Sequence, residues 1–170
     1  EVSSQALKYG RVKGMYFDYV IFTNLSKDHI SQKEHSNMKD YIESKSKLFD
    51  MCYHGIFNLD DEHVFNMIDK KSSTINTYGY NEKSDLRITD IKYIKYDHFL
   101  GIEFTTDGLI KDTFKVSSPG KFSSYNALAA ILCTHMLGID TNIIKESLIN
   151  FFVKGRVEPV KVSDKFNLII

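Results

Sequence analysis

Two short apolar runs, with a stretch of helical spacing between them, constrain the fold of this chain most strongly. Residues 19–24 and 55–59 form the runs, and their polar flanks are typical of buried strands in a parallel sheet. Between them the apolar residues of 38–49 recur with helical spacing, and Asn37 can cap the start of that helix. A second helix is predicted over about 60–70, with acids at its start. This alternation predicts an α/β fold, a parallel sheet flanked by helices.

The middle of the chain has a different pattern. From about Ile75 to Val116 the residues alternate and are rich in Ile, Tyr, Phe and Thr, with an Asp-Gly turn signal at 106–109. We therefore predict a small antiparallel sheet inserted over about 75–116. A strongly helical stretch follows at 124–137, with Gly138 in the position that ends helices, and one more helix is predicted over 142–152.

Composition excludes some classes of protein. The 170 residues suffice for one domain, and 22 basic residues balance 22 acidic ones, so no nucleic-acid partner is expected. No apolar run reaches the ~18 residues of a membrane span, and no signal peptide is recognised. The two cysteines, in no CxxC spacing, are expected to be buried thiols in a reducing compartment. Both ends resemble interior positions of a longer protein, so we expect a fragment.

Polar residues at predicted strand ends are candidates for a metal site. Glu1 occupies a probable strand end, and Asp28-His29 follows the end of the next strand. Open α/β sheets bind ligands at this edge, and a carboxylate with an imidazole can hold a divalent cation. The alternative remains open, because loops carry polar residues without any such role.

Two cationic residues also stand out. Lys45 lies on the apolar stripe of its helix, where it either snorkels to solvent or points into an active site. Arg156, in the run 155–159 between Gly and Pro, could contact a phosphate, although most such arginines are solvated. No GxxxxGK[ST] phosphate loop occurs in the chain.

Several segments, in order along the chain, resemble the Mur ligases, which add amino acids to the bacterial cell-wall precursor. The most specific are Glu1-Val2-Ser3-Ser4, Thr23-Asn24-Leu25-Ser26-Lys27-Asp28-His29 and Gly155-Arg156-Val157-Glu158-Pro159. The others are residues 5–7, 10–12, 41–45, 58–61 and 125–130. The resemblance covers nearly the whole chain. Within the family, the chain resembles the branch that attaches the third peptide residue to UDP-N-acetylmuramoyl-dipeptide.

The resemblance implies a fold, a reaction and a set of roles. Residues 1–170 would be an incomplete Mur ligase central domain, part of an ATP- and Mg²⁺-dependent ligase that forms an amide bond through an acyl phosphate. The implied roles are metal binding for Glu1, His29 and carbamylated Lys45; catalysis for Lys45 and Arg156; ATP binding for Asn126 and Arg156; and substrate binding for Ser3, Arg11, Thr23 and Asn24. His35, in a longer loop found in some members, would be a substrate-side residue.

The implied protein is a bacterial, cytoplasmic monomer whose partners are a UDP-N-acetylmuramoyl-peptide and an amino acid. Ser123 departs from the family, which usually has asparagine there. Two alternatives stay open: a related ligase with another substrate, similar to folylpolyglutamate or cyanophycin synthetases, and a non-catalytic binding relative. The fragment alone is expected to be inactive, because it lacks the phosphate loop.

Overall fold

A computed structural model describes residues 1–27, 30–31, 34–68, 74–96, 99–151, 159–161 and 167–169. The chain divides into two compact units, Glu1–Asp85 and Leu86–Ile170. Three parallel strands lie in the first unit, three antiparallel strands lie in the second, and two more strands pair separately. Within the described residues, no helix is both long and apolar enough to span a bilayer.

The first unit alternates helices and strands. Its elements are α1 (Ser4–Lys8), β1 (Phe17–Phe22), α2 (Met38–Ser46), a 3₁₀ helix (Lys47–Met51), β2 (Cys52–Asn58), α3 (Val64–Ile68) and β3 (Thr74–Gly79). β1 pairs in parallel with β2, and β2 in parallel with β3. The predicted parallel sheet with flanking helices is therefore confirmed.

One boundary of the prediction is wrong. The antiparallel segment was expected to begin near Ile75, but that residue lies in β3, which is parallel to β2. The alternation of apolar and polar residues is the same in both kinds of strand, so the sequence pattern could not reveal the direction of pairing.

One cluster of core side chains in the first unit lies on a single face of its strands. Side chains alternate across β1, which places Val20 and Phe22 in the core. They pack with Phe57 of β2, Phe49 of the 3₁₀ helix and Tyr41 of α2. This packing fixes α2 against the carboxyl-terminal halves of the parallel strands.

The second unit contains the antiparallel strands. Its elements are β4 (Leu86–Tyr96), β5 (Phe99–Gly108), β6 (Thr113–Val116), α4 (Lys121–Met136), α5 (Thr141–Ile149), β7 (Pro159–Lys161) and β8 (Asn167–Ile169). β5 pairs antiparallel with both β4 and β6. Gly138 has a φ of 77° and follows α4, as predicted for a helix terminus.

Two details of the sequence interpretation need correction. Asp60 and Asp61 were expected to start a helix, but α3 begins only at Val64 and has no acid in its first turn. Their carboxylates instead accept hydrogen bonds from backbone amides, including Tyr80 N and Leu25 N. Both cysteines were expected to be buried, and Cys52 in β2 is, but Cys133 in α4 is only partly buried.

Candidate active site

Lys45 is held at the edge of the core by α2. Asn37 caps that helix as predicted, its side chain accepting a 3.0 Å hydrogen bond from Asp40 N. The Lys45 side chain is half-buried, and its Nζ lies 6.0 Å from the centroid of the Tyr41 ring, one turn earlier. The lysine of the apolar stripe is thus kept partly out of water.

Burial lowers the pKa of Lys45, because desolvation penalises the charged amine, while the Glu1 carboxylate acts in the opposite direction. The lowering is the larger effect. The Glu1 carboxylate thus acts electrostatically on the Lys45 amine, and both residues are among the three that the sequence suggested as metal ligands.

Glu1 and Lys45 suit a divalent cation only when the Lys45 amine is carbamylated. A protonated lysine would repel Mg²⁺, whereas a lysine carbamate would add oxygen donors beside the Glu1 carboxylate, the donors that Mg²⁺ prefers. A lowered pKa increases the fraction of neutral amine, the nucleophilic form that reacts with CO2. The third suggested ligand, His29, lies outside the described residues, and those described contain no group of three or more His, Cys, Asp or Glu that could hold a metal ion.

The segment after β1 is tied down on both sides of Asn24. Asn58 Nδ2 donates a 2.8 Å hydrogen bond to the carbonyl oxygen of Thr23, and Leu25 N donates one of 2.9 Å to Asp61 Oδ2. The side chains of Thr23 and Asn24 themselves are exposed. These two candidate substrate contacts thus face solvent from a backbone that β2 and the turn after it hold in place.

Sequence reasoning gave Asn58 no role and expected Asp61 only to begin a helix. The available signal was the Asn58-Leu59-Asp60-Asp61 segment, in which an amide and two acids directly follow an apolar strand. Such residues commonly bind backbone groups in turns, but the sequence does not show which turn they would reach.

Ser3 and Arg11 lie on the surface at the two ends of the α1 region. Ser3 caps α1, with its Oγ accepting a 3.1 Å hydrogen bond from Ala6 N. The Arg11 guanidinium is exposed and lies 6.0 Å from the Tyr9 ring centroid. Both are accessible for substrate, and the observed contacts of both are local.

His35 was expected to face the substrate, but it is completely buried. Its Nε2 shares a 2.8 Å hydrogen bond with Ser4 Oγ, and its ring stacks on Tyr41 with centroids 4.9 Å apart. A side chain without solvent exposure in this state cannot contact a dissolved substrate, so the expected role is wrong here.

The suggested ATP-binding residue Asn126 lies in the second unit. It is exposed on α4, whereas Ser123, the departure from the family pattern, is buried. Ser123 Oγ donates a 2.9 Å hydrogen bond to the carbonyl oxygen of Pro119. Ser123 thus stabilises the first turn of α4 by this hydrogen bond. Arg156 lies outside the described residues.

Comparisons with known proteins agree with the family resemblance seen in the sequence. The family model described as the Mur ligase middle domain matches residues 1–134. A UDP-N-acetylmuramoyl-L-alanyl-D-glutamate–2,6-diaminopimelate ligase of Caldanaerobacter subterraneus subsp. tengcongensis is 37% identical over 100% of this chain and 34% of its own length. A UDP-N-acetylmuramyl-tripeptide synthetase of Lactococcus lactis subsp. cremoris is 34% identical, over 93% of this chain and 31% of its own.

A solved UDP-N-acetylmuramoyl-L-alanyl-D-glutamate–2,6-diaminopimelate ligase has the same fold. It superposes with a TM-score of 0.82 at 24% identity, over 96% of this chain and 34% of that one. The chain thus spans about a third of the length of the curated relatives it matches. The match to the middle-domain model covers well over half of its residues, and the chain belongs to the Mur ligase family.

Proposed function

We propose that this chain is the central domain of an ATP- and Mg²⁺-dependent ligase that adds an amino acid to a UDP-N-acetylmuramoyl-peptide in peptidoglycan synthesis. The observation that carries the proposal is the half-buried position of Lys45 on α2, where the Glu1 carboxylate acts on its amine. Two curated relatives named for cell-wall ligases favour the muramoyl substrate over a folate or cyanophycin.

Glu1, His29 and carbamylated Lys45 would hold the metal. Bound there, Mg²⁺ would neutralise charge on the phosphoryl group that ATP transfers. The surroundings of Lys45 contribute by desolvation, which favours the neutral amine, and CO2 then adds to this amine with loss of one proton. The product is an anion where the unmodified side chain would carry a positive charge.

The reaction joins two substrates in two steps. A carboxylate oxygen of the muramoyl peptide attacks the γ-phosphorus of ATP, and the bond to ADP breaks to give an acyl phosphate. The amine of the incoming amino acid then attacks the acyl carbon, phosphate leaves and the nitrogen loses a proton. Arg156 would stabilise charge on the transferred phosphoryl group, because a guanidinium binds phosphate oxygens in bidentate geometry.

The remaining residues would bind the substrates. Exposed Thr23, Asn24, Ser3 and Arg11 would contact the UDP-sugar peptide, and exposed Asn126 would lie against the nucleoside of ATP. We place the protein in the bacterial cytoplasm as a monomer. Since the chain contains no GxxxxGK[ST] loop, we expect no ligase turnover from the 170 residues alone.

The carbamate can be tested directly. Carbon-13 NMR of the protein in ¹³C-bicarbonate should show a carbamate resonance that Lys45→Arg removes. Lys47→Arg, which changes an exposed lysine two residues away, is the matched control and should keep the resonance. A spectrum without a carbamate, or one in which Lys45→Arg has no effect, would contradict the assignment of Lys45.

The substrate class needs a separate measurement. The full-length protein should consume ATP with UDP-N-acetylmuramoyl-dipeptide and an amino acid, and should not do so with folates. Turnover with folate alone would support the related-ligase alternative, and binding of the muramoyl peptide without any turnover would support a non-catalytic relative.

A further inference from the structure

The buried side chain of His35 links the start of α1, which directly follows Glu1, to α2, which carries Lys45. Its Nε2 lies 2.8 Å from Ser4 Oγ at the start of α1, three residues after Glu1. Its ring stacks on Tyr41 of α2, one helical turn before Lys45. His35 thus contacts the elements of both ligands and touches neither ligand itself.

The contact with Tyr41 continues to the lysine. The same Tyr41 ring that stacks on His35 has Lys45 Nζ 6.0 Å from its centroid. Residues four apart on a helix lie on the same face, so the positions of the ring and of the lysine stem depend on each other. Moving the imidazole would therefore disturb the packing beside Lys45.

The contact with Ser4 is equally constrained. His35 is 0% exposed and Ser4 is 5% exposed, so water cannot easily replace their hydrogen bond. Lys8 adds a second link between the helices, because its Nζ donates hydrogen bonds of 2.7 Å to Asp40 Oδ2 and 3.0 Å to the carbonyl oxygen of Glu34. The start of α1, and with it Glu1, is thereby held against α2.

We propose that His35 is a positioning residue that, through Ser4 and Tyr41, sets the placement of Glu1 relative to Lys45 for binding the divalent cation. The proposal rests on the function given above. Groups that orient metal ligands typically change metal affinity by about 10–100-fold when they are altered. Because His35 acts through helices and not on the ligands directly, we expect an effect at the low end of that range.

The experiment uses the full-length protein in ¹³C-bicarbonate buffer. Mg²⁺ binding is measured by calorimetry, and the Lys45 carbamate is measured by its carbon-13 resonance. His35→Phe keeps a ring against Tyr41 and removes the hydrogen bond, whereas Ser4→Ala removes the same bond from the other side. Each should weaken Mg²⁺ binding about tenfold and reduce the carbamate signal.

Three further variants separate positioning from general stability. His35→Gln keeps a terminal amide that can reach Ser4 Oγ but loses the ring stack on Tyr41, so its Mg²⁺ binding should lie between that of the wild type and that of His35→Ala, which loses both contacts. Thr106→Val is the matched control, because it deletes a buried hydroxyl, bonded to the Ile110 carbonyl, in the second unit. It should lower the melting temperature without changing Mg²⁺ binding.

The outcomes are distinguishable. The double variant His35→Phe/Ser4→Ala should bind Mg²⁺ no more weakly than the weaker single variant, because both single changes remove one bond. If His35→Phe and Ser4→Ala lower the melting temperature but keep wild-type Mg²⁺ binding and carbamate, the role of His35 is only structural and this inference is overturned. A wild-type protein with neither Mg²⁺ binding nor carbamate would overturn the proposed function as well.

Discussion

The Glu1 carboxylate opposes the effect of burial on the Lys45 amine, although the two residues lie far apart in the chain. Burial lowers the pKa of Lys45 and the carboxylate raises it, with burial the larger effect. A change in the charge of Glu1 should therefore change the pKa of Lys45, which can be measured.

Replacing Glu1 with Gln should lower the pKa of Lys45 further, because the charge that favours the ammonium disappears while the desolvation remains. The pH dependence of cyanate labelling at Lys45, followed by mass spectrometry, should shift to lower pH. Lys47 in the same protein serves as the internal control and should keep its labelling profile. An unchanged or upward shift at Lys45 would mean that Glu1 does not act on this amine.

Replacing Asn58 with Asp should destabilise the segment that carries Thr23 and Asn24. The change puts a carboxylate oxygen in place of the donor that lies 2.8 Å from the Thr23 carbonyl oxygen, so a partly buried acceptor loses its partner. We expect the free energy of unfolding to fall by about 1–3 kcal/mol, measured by urea denaturation. Asn66→Asp, at an exposed position of α3, should change it by less than about 0.5 kcal/mol. Equal effects of the two changes would argue against this role for Asn58.

Replacing Gly79 with Ala should be costly for two separable reasons. Gly79 has a φ of 153°, and a Cβ there would lie 2.7 Å from Asp60 Oδ2, the oxygen that accepts the hydrogen bond from Tyr80 N. Gly14→Ala isolates the backbone effect, because Gly14 has a φ of 87° and no atom near the added Cβ. Each change should cost more than about 1 kcal/mol in denaturation experiments, and Gly79→Ala should cost more than Gly14→Ala. The reverse order would exclude the contact with Asp60 as a cause.

The pair formed by Lys8 and Asp40 should make stability depend on pH in the acid range. The hydrogen bond from Lys8 holds the pKa of Asp40 well below its ordinary value, with smaller contributions from Ser36 and His35. The folded state therefore binds this proton less readily than the unfolded state. The resulting stabilisation is complete above about pH 5 and is lost as the pH falls through and below the ordinary pKa of about 3.9.

Urea midpoints of the wild type and of Lys8→Met should accordingly converge between pH 7 and pH 3. Lys39→Met is the control, because Lys39 and Glu43 form an exposed ion pair at 3.9 Å that should contribute little at any pH. A difference between wild type and Lys8→Met that stays constant over this range would show that Asp40 keeps its ordinary pKa in the folded protein.

The secondary structure that follows from local patterns was largely predictable. Apolar periodicity located β1, β2, α2, α4 and α5, and the local chemistry of Asn37 and Gly138 predicted their roles at helix ends. Periodicity also placed Lys45 on an apolar helix face, where the structure shows it half-buried. These properties depend on residues within a few positions of one another.

The long-range contacts were not predictable from such patterns. Asp60 and Asp61 looked like the acids of a helix start, yet their partners are backbone amides of the segments after β3 and β1. His35 looked like a polar loop residue, yet it is buried against Ser4. The partners become neighbours only once the strands have paired and the helices have packed.

The sequence by itself determined the alternation of strands and helices, the family, and the residue types available for chemistry at the strand ends. Only the tertiary structure decided that the Glu1 carboxylate acts on the half-buried Lys45 amine and that His35 connects the start of α1 to α2. The physical reason is that burial, and with it the strength of electrostatic and hydrogen-bonding interactions, is set by packing between segments that are distant in the chain.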